Sequence, residues 1–229
     1  MMLFVGTAAM LLPAMRTQPS TISMMAADAG HPSQMRTEST GTILEFEDEK
    51  KKTLHLGVVE VAEVKGKKGA VYQVRDSSNK LNTVLAKHIR ATFASDKMVQ
   101  PLEATNPDVV LPEYVAVSRQ AADELGIDLD VLELAWEICL EEGHEEGHEG
   151  HTLGGIVAHV DPSLFETPVD QYRAHRLLSS AMGQVFFKKL HSHDYSHLEY
   201  KAKDDKAVAS SKESFCNGEQ KESADWCMV

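Results

Sequence analysis

The sequence of 229 residues has few of the residue patterns that define a site by themselves. Its three cysteines, Cys139, Cys216 and Cys227, are an odd number without close pairing. They argue against a disulfide framework or a cysteine-rich zinc site, and a reducing compartment fits them best. Aromatic residues make up only 6% of the chain, so its hydrophobic cores are expected to be modest. Neither a phosphate-loop nor a dinucleotide-binding glycine pattern occurs, and no Ser/His/Asp or Cys/His set can be chosen. The sequence therefore offers no credible active site.

Long hydrophobic runs are also scarce. The first fifteen residues are largely apolar, about as long as the core of a signal peptide, but Pro13 interrupts them and they are too short to span a bilayer comfortably. A stretch that is rich in Ser and Thr and poor in acids follows. We predict that residues 1–38 are a targeting peptide, removed or disordered in the mature protein. A buried N-terminal strand is the alternative. No later segment approaches transmembrane length.

Acidic residues are scarce in residues 50–90, and basic residues are scarce in the neighbouring residues 101–150. Residues 50–90 hold ten Lys and Arg against three acids, a net charge of +7, whereas residues 101–150 hold one Arg against fourteen acids, a net charge of −13. The whole-chain value of −12 hides this contrast. A short basic β-rich segment in an acidic protein is typical of a nucleic-acid contact surface. The alternative is that the lysines keep a small barrel soluble.

Alternating hydrophobicity and turn residues predict five strands, at residues 41–46, 54–64, 70–74, 80–85 and 88–93. Five strands in this length are typical of a small barrel of the SH3 or OB type, assigned here to residues 41–93. Residues 94–112 contain three prolines and little periodicity, which predicts a linker.

Helical signals follow over residues 113–202. They predict a helix from Ser118 to Leu125, a second that begins near Asp128 or Asp130, and a third over residues 152–160. The inner face of the second helix is expected to comprise the following residues: Val131, Leu134, Ala135, Ile138 and Cys139.

Thr167 and Pro168 predict the start of a further helix that reaches about residue 180, and two strands are expected at 184–190 and 197–202. This order is that of a winged-helix domain. Residues 203–229 are polar and aperiodic and are predicted to be a disordered tail. The predicted fold class is therefore mixed α+β: a small SH3/OB-like β-barrel followed by a winged-helix domain, with disordered termini.

A histidine-rich segment, residues 143–151, interrupts the helical region. His144, Glu145 and His148 match the H-E-x-x-H pattern, in which two histidines one helical turn apart bind zinc and the glutamate activates water. That chemistry needs a rigid helix, which glycines oppose at about 1 kcal/mol each. A solvated loop between helices is the favoured interpretation, with adventitious metal binding and zinc-dependent hydrolysis as alternatives. Asp128 and Asp130 are interpreted as helix caps rather than metal ligands.

Short strings along the chain resemble a known family. Residues 41–46 (GTILEF), 56–59 (LGVV) and 84–92 (VLAKHIRAT) are similar to the N-terminal barrel of ribonuclease II family exoribonucleases of the cyanobacterial and chloroplast type. Residues 132–143, 172–179 and 185–187 are similar to the winged-helix region that follows in those proteins. The resemblance covers about residues 40–202, and the string YRAHRLLS at 172–179 is its most specific part.

The resemblance implies a 3′-to-5′ exoribonuclease that acts on single-stranded RNA, with Mg²⁺ held by an aspartate cluster in a large central catalytic domain. That domain is missing from these 229 residues. We therefore expect an RNA-gripping front portion, inactive alone and without a cofactor of its own, from a truncated or fragmentary gene product located in a plastid. A protein-interaction module built on the winged helix is the alternative function, and a further protein subunit is an alternative partner.

The candidate RNA-binding residues are those that could contact phosphates or stack on unpaired bases. On the barrel they are Lys65, Lys67, Lys68, Tyr72, Lys87 and Arg90; on the helix after Pro168 they are Arg173 and Arg176; on the wing strand they are Lys188 and Lys189. Phe46 could also stack on a base, but a core position is preferred. These residues predict RNA binding of low sequence specificity that weakens with salt. Unchanged affinity after replacement of the three hairpin lysines would reject their assignment.

Overall fold

The computed structural model describes residues 40–64, 70–94, 103–121, 123–125, 129–146, 150–190, 195 and 197–218. The predicted targeting peptide lies outside the described residues. None of the helices in the described part of the chain is both long enough and apolar enough to cross a membrane.

The five predicted strands form one antiparallel sheet. They are β1 (Ile43–Glu47), β2 (Leu54–Val64), β3 (Ala70–Asp76), β4 (Leu81–Leu85) and β5 (Ile89–Phe93), in the order β4-β3-β2-β1-β5. A single 3₁₀ turn at Ala86–His88 joins β4 to β5. The mixed α+β fold class is thereby confirmed in its β part.

The sheet has two apolar faces. Along β1, Leu44 and Phe46 enter a core to which all five strands contribute, whereas Ile43 and Glu45 lie on the other face. This alternation follows from the two-residue period of a strand. Phe46 is buried, as preferred from the sequence. Tyr72 is also in this core and is only 2% exposed.

The predicted linker contains structure. Helix α1 (Pro107–Val110) and helix α2 (Pro112–Arg119) each begin with a proline at the first helical position, where the missing N–H costs nothing. Val110 and Leu111 are buried. The prolines therefore start helices instead of marking a free linker, and the predicted helix from Ser118 to Leu125 is replaced by the end of α2 and a 3₁₀ turn at Asp123–Leu125.

The winged-helix order is present. It comprises α3 (Leu129–Glu146), β6 (His151–Thr152), α4 (Leu153–Val160), α5 (Pro168–Ser179), α6 (Gly183–Phe186), β7 (Phe187–Lys189) and β8 (Glu199–Ala202), with the three strands in the order β6-β8-β7. Strand β6 lies where a loop was expected, and α6 occupies the first part of the predicted strand 184–190. At α5 the Thr167 side chain and Asp170 form a capping box, as the Thr-Pro start predicts.

Helix α3 differs from the prediction in its buried face and in its length. Leu132, Ala135, Trp136 and Cys139 are buried, whereas Leu134 is 52% exposed. The inner face is set by packing on α4, α6 and β8, which periodicity alone does not reveal. The helix also continues through Gly143 to Glu146, so the loop predicted from residue 143 begins later.

The predicted disordered tail contains a helix, α7 (Asp205–Asn217). Asp204 caps its first turn by accepting a hydrogen bond from the Ala207 N–H at 2.8 Å. Val208 is buried and Phe215 packs on the same core. The segment is polar overall, but these two residues seven apart give it one apolar side. Cys216 is disulfide-bonded, which the cysteine spacing did not predict.

The helical region packs on the sheet face that carries Ile43. That face supplies Ile43, Leu56, Val58, Ala91 and Phe93 to a core shared with all the principal helices. The Phe93 ring meets the Tyr172 ring of α5 edge-on, with centroids 5.1 Å apart. The barrel and the winged-helix domain therefore share one hydrophobic core.

Candidate nucleic-acid interface

A buried polar network joins β1 to α5 inside the shared core. The ring nitrogen Nε2 of His175 lies 3.0 Å from Oε2 of Glu45, and the Tyr200 hydroxyl lies 2.7 Å from His175 Nδ1. Tyr172 also donates a longer hydrogen bond, 3.4 Å, to Glu45 Oε1. Glu45 is 4% and His175 1% exposed. The consistent assignment has Tyr200 donating to Nδ1 and a neutral imidazole donating from Nε2 to the carboxylate.

Burial and charge set the protonation of this network. Complete burial lowers the pKa of His175, although Glu45 opposes that shift. Burial works to raise the pKa of Glu45, but the hydrogen bond from His175 and the charges of Lys189 and Arg176 outweigh it, so the pKa is lowered. We therefore assign an ionised Glu45 beside a neutral His175. The string YRAHRLLS, which carries the family resemblance, thus supplies a buried polar contact between the two folded parts.

A groove of about 650 Å³ opens beside this network, between the sheet and the winged-helix domain. Its charged lining residues are Lys52, Arg90, Lys188, Lys189, Lys203, Glu45 and Glu47. Five cations against two carboxylates leave a net charge of +3. The remaining lining residues include exposed Leu54 and buried Phe187. Such a groove attracts an extended polyanion.

Contacts within the groove hold its cations in place. Arg90 pairs with Glu47, and the Lys52 ammonium lies 3.2 Å from the same carboxylate. The Lys189 ammonium donates to the Arg90 carbonyl at 2.7 Å, so the wing strand is tied to β5. Nearby, the Thr92 N–H donates to the carbonyl of Tyr195 at 3.1 Å. The wing therefore has a defined position against the sheet.

Two of the groove lysines are electrostatically crowded. Burial lowers the pKa of Lys189, and Arg90 adds to that shift against the opposing effect of Glu45. Burial also lowers the pKa of Lys203, with Lys188 contributing. An anion placed in the groove would offset this repulsion, because it favours the charged form of each ammonium.

Three of the predicted contact residues, Arg90, Lys188 and Lys189, therefore meet in one groove, although the sequence assigned them to two separate surfaces. Lys87 lies elsewhere, exposed and 3.9 Å from Glu49. Burial of Tyr72 leaves no ring face for a base. The hairpin residues Lys65, Lys67 and Lys68 lie outside the described residues.

The two arginines of α5 do not line the groove. Arg173 forms an ion pair with Asp170 at 2.7 Å, one turn earlier in the same helix. Arg176 donates to the Ser118 carbonyl at 3.2 Å and lines a smaller cavity of about 260 Å³ with Arg119. The buried residues of α5 face the sheet and the shared core, so this helix is a docking element here.

Sequence reasoning missed Lys52 and Lys203. Lys52 lies in the β1–β2 turn with a positive φ of 57°, and Lys203 follows β8 directly. The Lys203 ammonium donates to the Gln184 carbonyl and to Ser211 Oγ, the latter at 3.0 Å. Lys52 is one of three consecutive lysines, and nothing in the sequence distinguishes it from the other two. Lys203 was assigned to the predicted disordered tail.

The described residues do not test the alternative of a zinc-dependent hydrolase. His148 lies outside them, as do the side chains of His144 and Glu145. The only group of three or more potential metal ligands found among the described residues consists of Cys139, Glu142 and His151. A thiol and an imidazole do not suit Mg²⁺, which prefers oxygen ligands. No hydrolytic step is therefore assigned to these residues.

Comparison with protein families agrees with this architecture. The family model described as "Ribonuclease II, winged helix domain" matches residues 117–207. Over these residues, which are less than half of the chain, the protein is similar to the winged helix domain of ribonuclease II proteins. The matched segment runs from the end of α2 to the first turn of α7 and includes both wing lysines of the groove. It supports membership of the ribonuclease II family. No curated protein matches the chain.

Proposed function

We propose that this chain is the RNA-holding portion of a ribonuclease II-type 3′-to-5′ exoribonuclease and that the groove binds single-stranded RNA. The observation that carries the proposal is the meeting of Arg90 from the barrel with Lys188 and Lys189 from the wing strand in one groove. The matched winged helix domain supports RNA as the polyanion.

The groove chemistry favours contacts to the phosphate backbone over contacts to bases. Its lining carries ammonium and guanidinium groups, while the rings of His175 and Phe187 are buried. Phosphate contacts position a strand without reading its sequence. A cationic groove with the apolar Leu54 in its lining can hold the backbone of a single strand. We therefore expect low sequence specificity.

Salt dependence of RNA affinity tests the groove directly. Each phosphate contact to a single strand contributes about 0.7 to the slope of log affinity against log salt. Lys188→Gln should therefore lower the slope by about 0.7, and Lys188→Gln with Lys189→Gln by about 1.4. Both slopes are measured by fluorescence anisotropy with a labelled oligouridylate, at salt concentrations from about 50 to about 300 mM. Lys80→Gln is the matched control, because Lys80 is exposed and does not line the groove.

Unchanged affinity and slope in a folded Lys188→Gln/Lys189→Gln variant would contradict the groove assignment. A separate variant with Lys65, Lys67 and Lys68 replaced by Ala measures how much the predicted hairpin contacts contribute to RNA affinity. If the wild-type chain does not bind RNA at low salt but binds a protein partner, the result would favour the alternative of a protein-interaction module. Incubation with Mg²⁺ should leave the oligomer intact, because the proposal places hydrolysis in a catalytic domain outside these residues.

We propose a plastid location for the same reason that the sequence suggested one, namely the apolar and then acid-poor start of the chain. Residues 1–38 fused to a fluorescent protein should direct it to plastids. Residues 40–78 fused in the same way should not, and accumulation of both fusions in the same compartment would contradict the proposal.

A further inference from the structure

Four side chains with metal-ligating atoms meet where α3, β6 and α4 converge. Single ligand atoms of Cys139, Glu142 and His151 all lie within 4.8 Å of one another. Glu142 Oε2 is 3.8 Å from His151 Nδ1 and 3.3 Å from His159 Nε2. The cluster is separate from the RNA groove, because none of its members lines that groove.

Regular structure fixes the positions of these residues. Cys139 and Glu142 are three residues apart on α3 and therefore share one face of the helix. His151 is held by the pairing of β6 with β8, opposite Tyr200, and His159 lies in the last turn of α4, which packs on α3. Sites on helices and strands are held more precisely than sites on loops.

We propose that Cys139, Glu142, His151 and His159 bind one divalent transition-metal ion of the zinc class, which ties α3 to β6 and α4. A tetrahedral zinc site has Zn–S near 2.3 Å and Zn–N near 2.0–2.1 Å, which puts its ligand atoms roughly 3.3–3.8 Å apart. Cys139, Glu142 and His151 need only a small contraction to reach those separations. His159 lies 3.3 Å from Glu142 but outside that group of three, so it must approach further, and Glu142, with its side chain 46% exposed, can move.

The donor set decides which ions fit. A thiolate with two imidazoles suits Zn²⁺ and similar borderline ions, whereas Mg²⁺ and Ca²⁺ prefer oxygen ligands. With all four side chains bound, a tetrahedral ion has no open position for substrate, so the site is structural. It differs from the H-E-x-x-H pattern, since none of its ligands is His144, Glu145 or His148.

The simpler alternative is that Cys139 is an ordinary core residue and that Glu142 only pairs with two histidines. Burial raises the pKa of the Cys139 thiol to about 12, with Glu142 adding to the shift, so the metal-free thiol is neutral. Metal binding would replace that thiol proton with the ion. Spectroscopy of the thiolate therefore separates the two possibilities.

The test uses the full tag-free chain, freed of metal by a chelator and titrated with Zn²⁺ and with Co²⁺. We expect one equivalent of metal per chain, a near-ultraviolet thiolate-to-cobalt charge-transfer band, and loss of that band in Cys139→Ser. His151→Gln and His159→Gln should each weaken Zn²⁺ binding at least about tenfold, since even changes around a ligand typically cost 10–100-fold. The control is His144→Gln with His148→Gln, which should bind as the wild type does.

Absence of the thiolate band in the wild type would overturn the proposal. So would binding that is lost in the His144→Gln/His148→Gln control but kept in His151→Gln and His159→Gln, because the histidine-rich segment would then hold the ion. If Cys139→Ser does not fold, the two single histidine variants still decide the question, since His151 and His159 are partly exposed. RNA affinity enters none of these readouts, so the two proposals can fail independently.

Discussion

At the scale of single residues, the Glu45–His175 pair is the feature with the largest predicted cost of change. Both side chains are almost fully buried, and each supplies the main polar partner of the other. Removing one partner of a buried pair leaves the other uncompensated and typically costs about 3–5 kcal/mol. The pair also fixes which face of α5 meets β1, because the other described hydrogen bond to the Glu45 carboxylate, the longer one from Tyr172, comes from the same helix.

The same pair predicts how stability depends on pH. His175 has a lowered pKa when folded, so below about pH 6.5 the unfolded chain takes up a proton that the folded chain resists. Glu45 also has a lowered pKa, so a second loss begins as the pH falls below about 4.5. Both effects have the same sign. The free energy of unfolding should therefore be highest near neutrality and fall on acidification, by up to about 1.4 kcal/mol per pH unit for each proton.

Urea unfolding at pH 7, 6 and 5 measures this dependence. His175→Gln should lower stability at pH 7 by about 1–3 kcal/mol, because an amide replaces the imidazole imperfectly, and should flatten the slope between pH 7 and 5. His55→Gln, which changes an exposed histidine of the same sheet, should keep the wild-type slope. An unaltered slope in His175→Gln would show that His175 is not the group responsible.

At the scale of elements, the junction between α5 and α6 depends on a close backbone approach at Gly183. A Cβ at this position would lie 2.3 Å from the Leu177 carbonyl oxygen and 2.6 Å from Leu178 Cα. Both are backbone atoms of α5, which cannot rotate away as a side chain can. The Gly183 N–H donates a hydrogen bond to Ser180 Oγ at 3.1 Å, which helps to hold this close approach. No local pattern in the sequence singles out this glycine.

Gly183→Ala should therefore destabilise the chain by about 1–3 kcal/mol or more, the usual range for overpacking in a well-packed interior. Gly218→Ala is the control, since a Cβ there meets only ordinary contacts at 3.4 and 3.5 Å, and its φ of −83° suits any residue. Thermal unfolding followed by circular dichroism compares them. Equal midpoints for the two variants would refute the role assigned to Gly183.

At the scale of the whole molecule, the shared core makes the barrel and the winged helix domain one folding unit. Ile43 and Leu44 are adjacent in β1 and both fully buried, yet Ile43 packs against the helices and Leu44 lies inside the sheet core. The groove is a product of this docking, since its cations come from both parts. Unfolding of the shared core would therefore also remove the groove that we propose to bind RNA.

Ile43→Ala and Leu44→Ala should each cost about 2–5 kcal/mol by creating a cavity. In both variants, circular dichroism and the fluorescence of Trp136, measured with Trp226→Phe as background, should report one and the same transition. Leu134→Ala, at an exposed position of α3, is the control and should change little. If Leu44→Ala unfolds the sheet while the Trp136 signal stays native, the two parts are independent.

Local patterns in the sequence predicted much of this fold. Alternating residues and turn signals placed the five strands, since burial on the face of a strand has a fixed two-residue period. Thr167 and Pro168 predicted the start of α5, because capping satisfies backbone groups within one turn. The winged-helix order and the family resemblance followed from the succession of such elements, and the family-model match to residues 117–207 supports them.

The site was decided by tertiary structure. Arg90 and Lys188 are nearly a hundred positions apart in sequence, and the packing of the winged-helix domain on the sheet brings them to one groove. Packing of α5 against β1 buries His175, packing of α3 on α4, α6 and β8 leaves Leu134 exposed, and packing of α7 on α6 turns Val208 of the predicted tail inward. Sequence patterns determine which segments become helices and strands, because those depend on neighbours in the chain. Which faces meet, and so which charges converge, depends on contacts between distant segments, and these have no local signal.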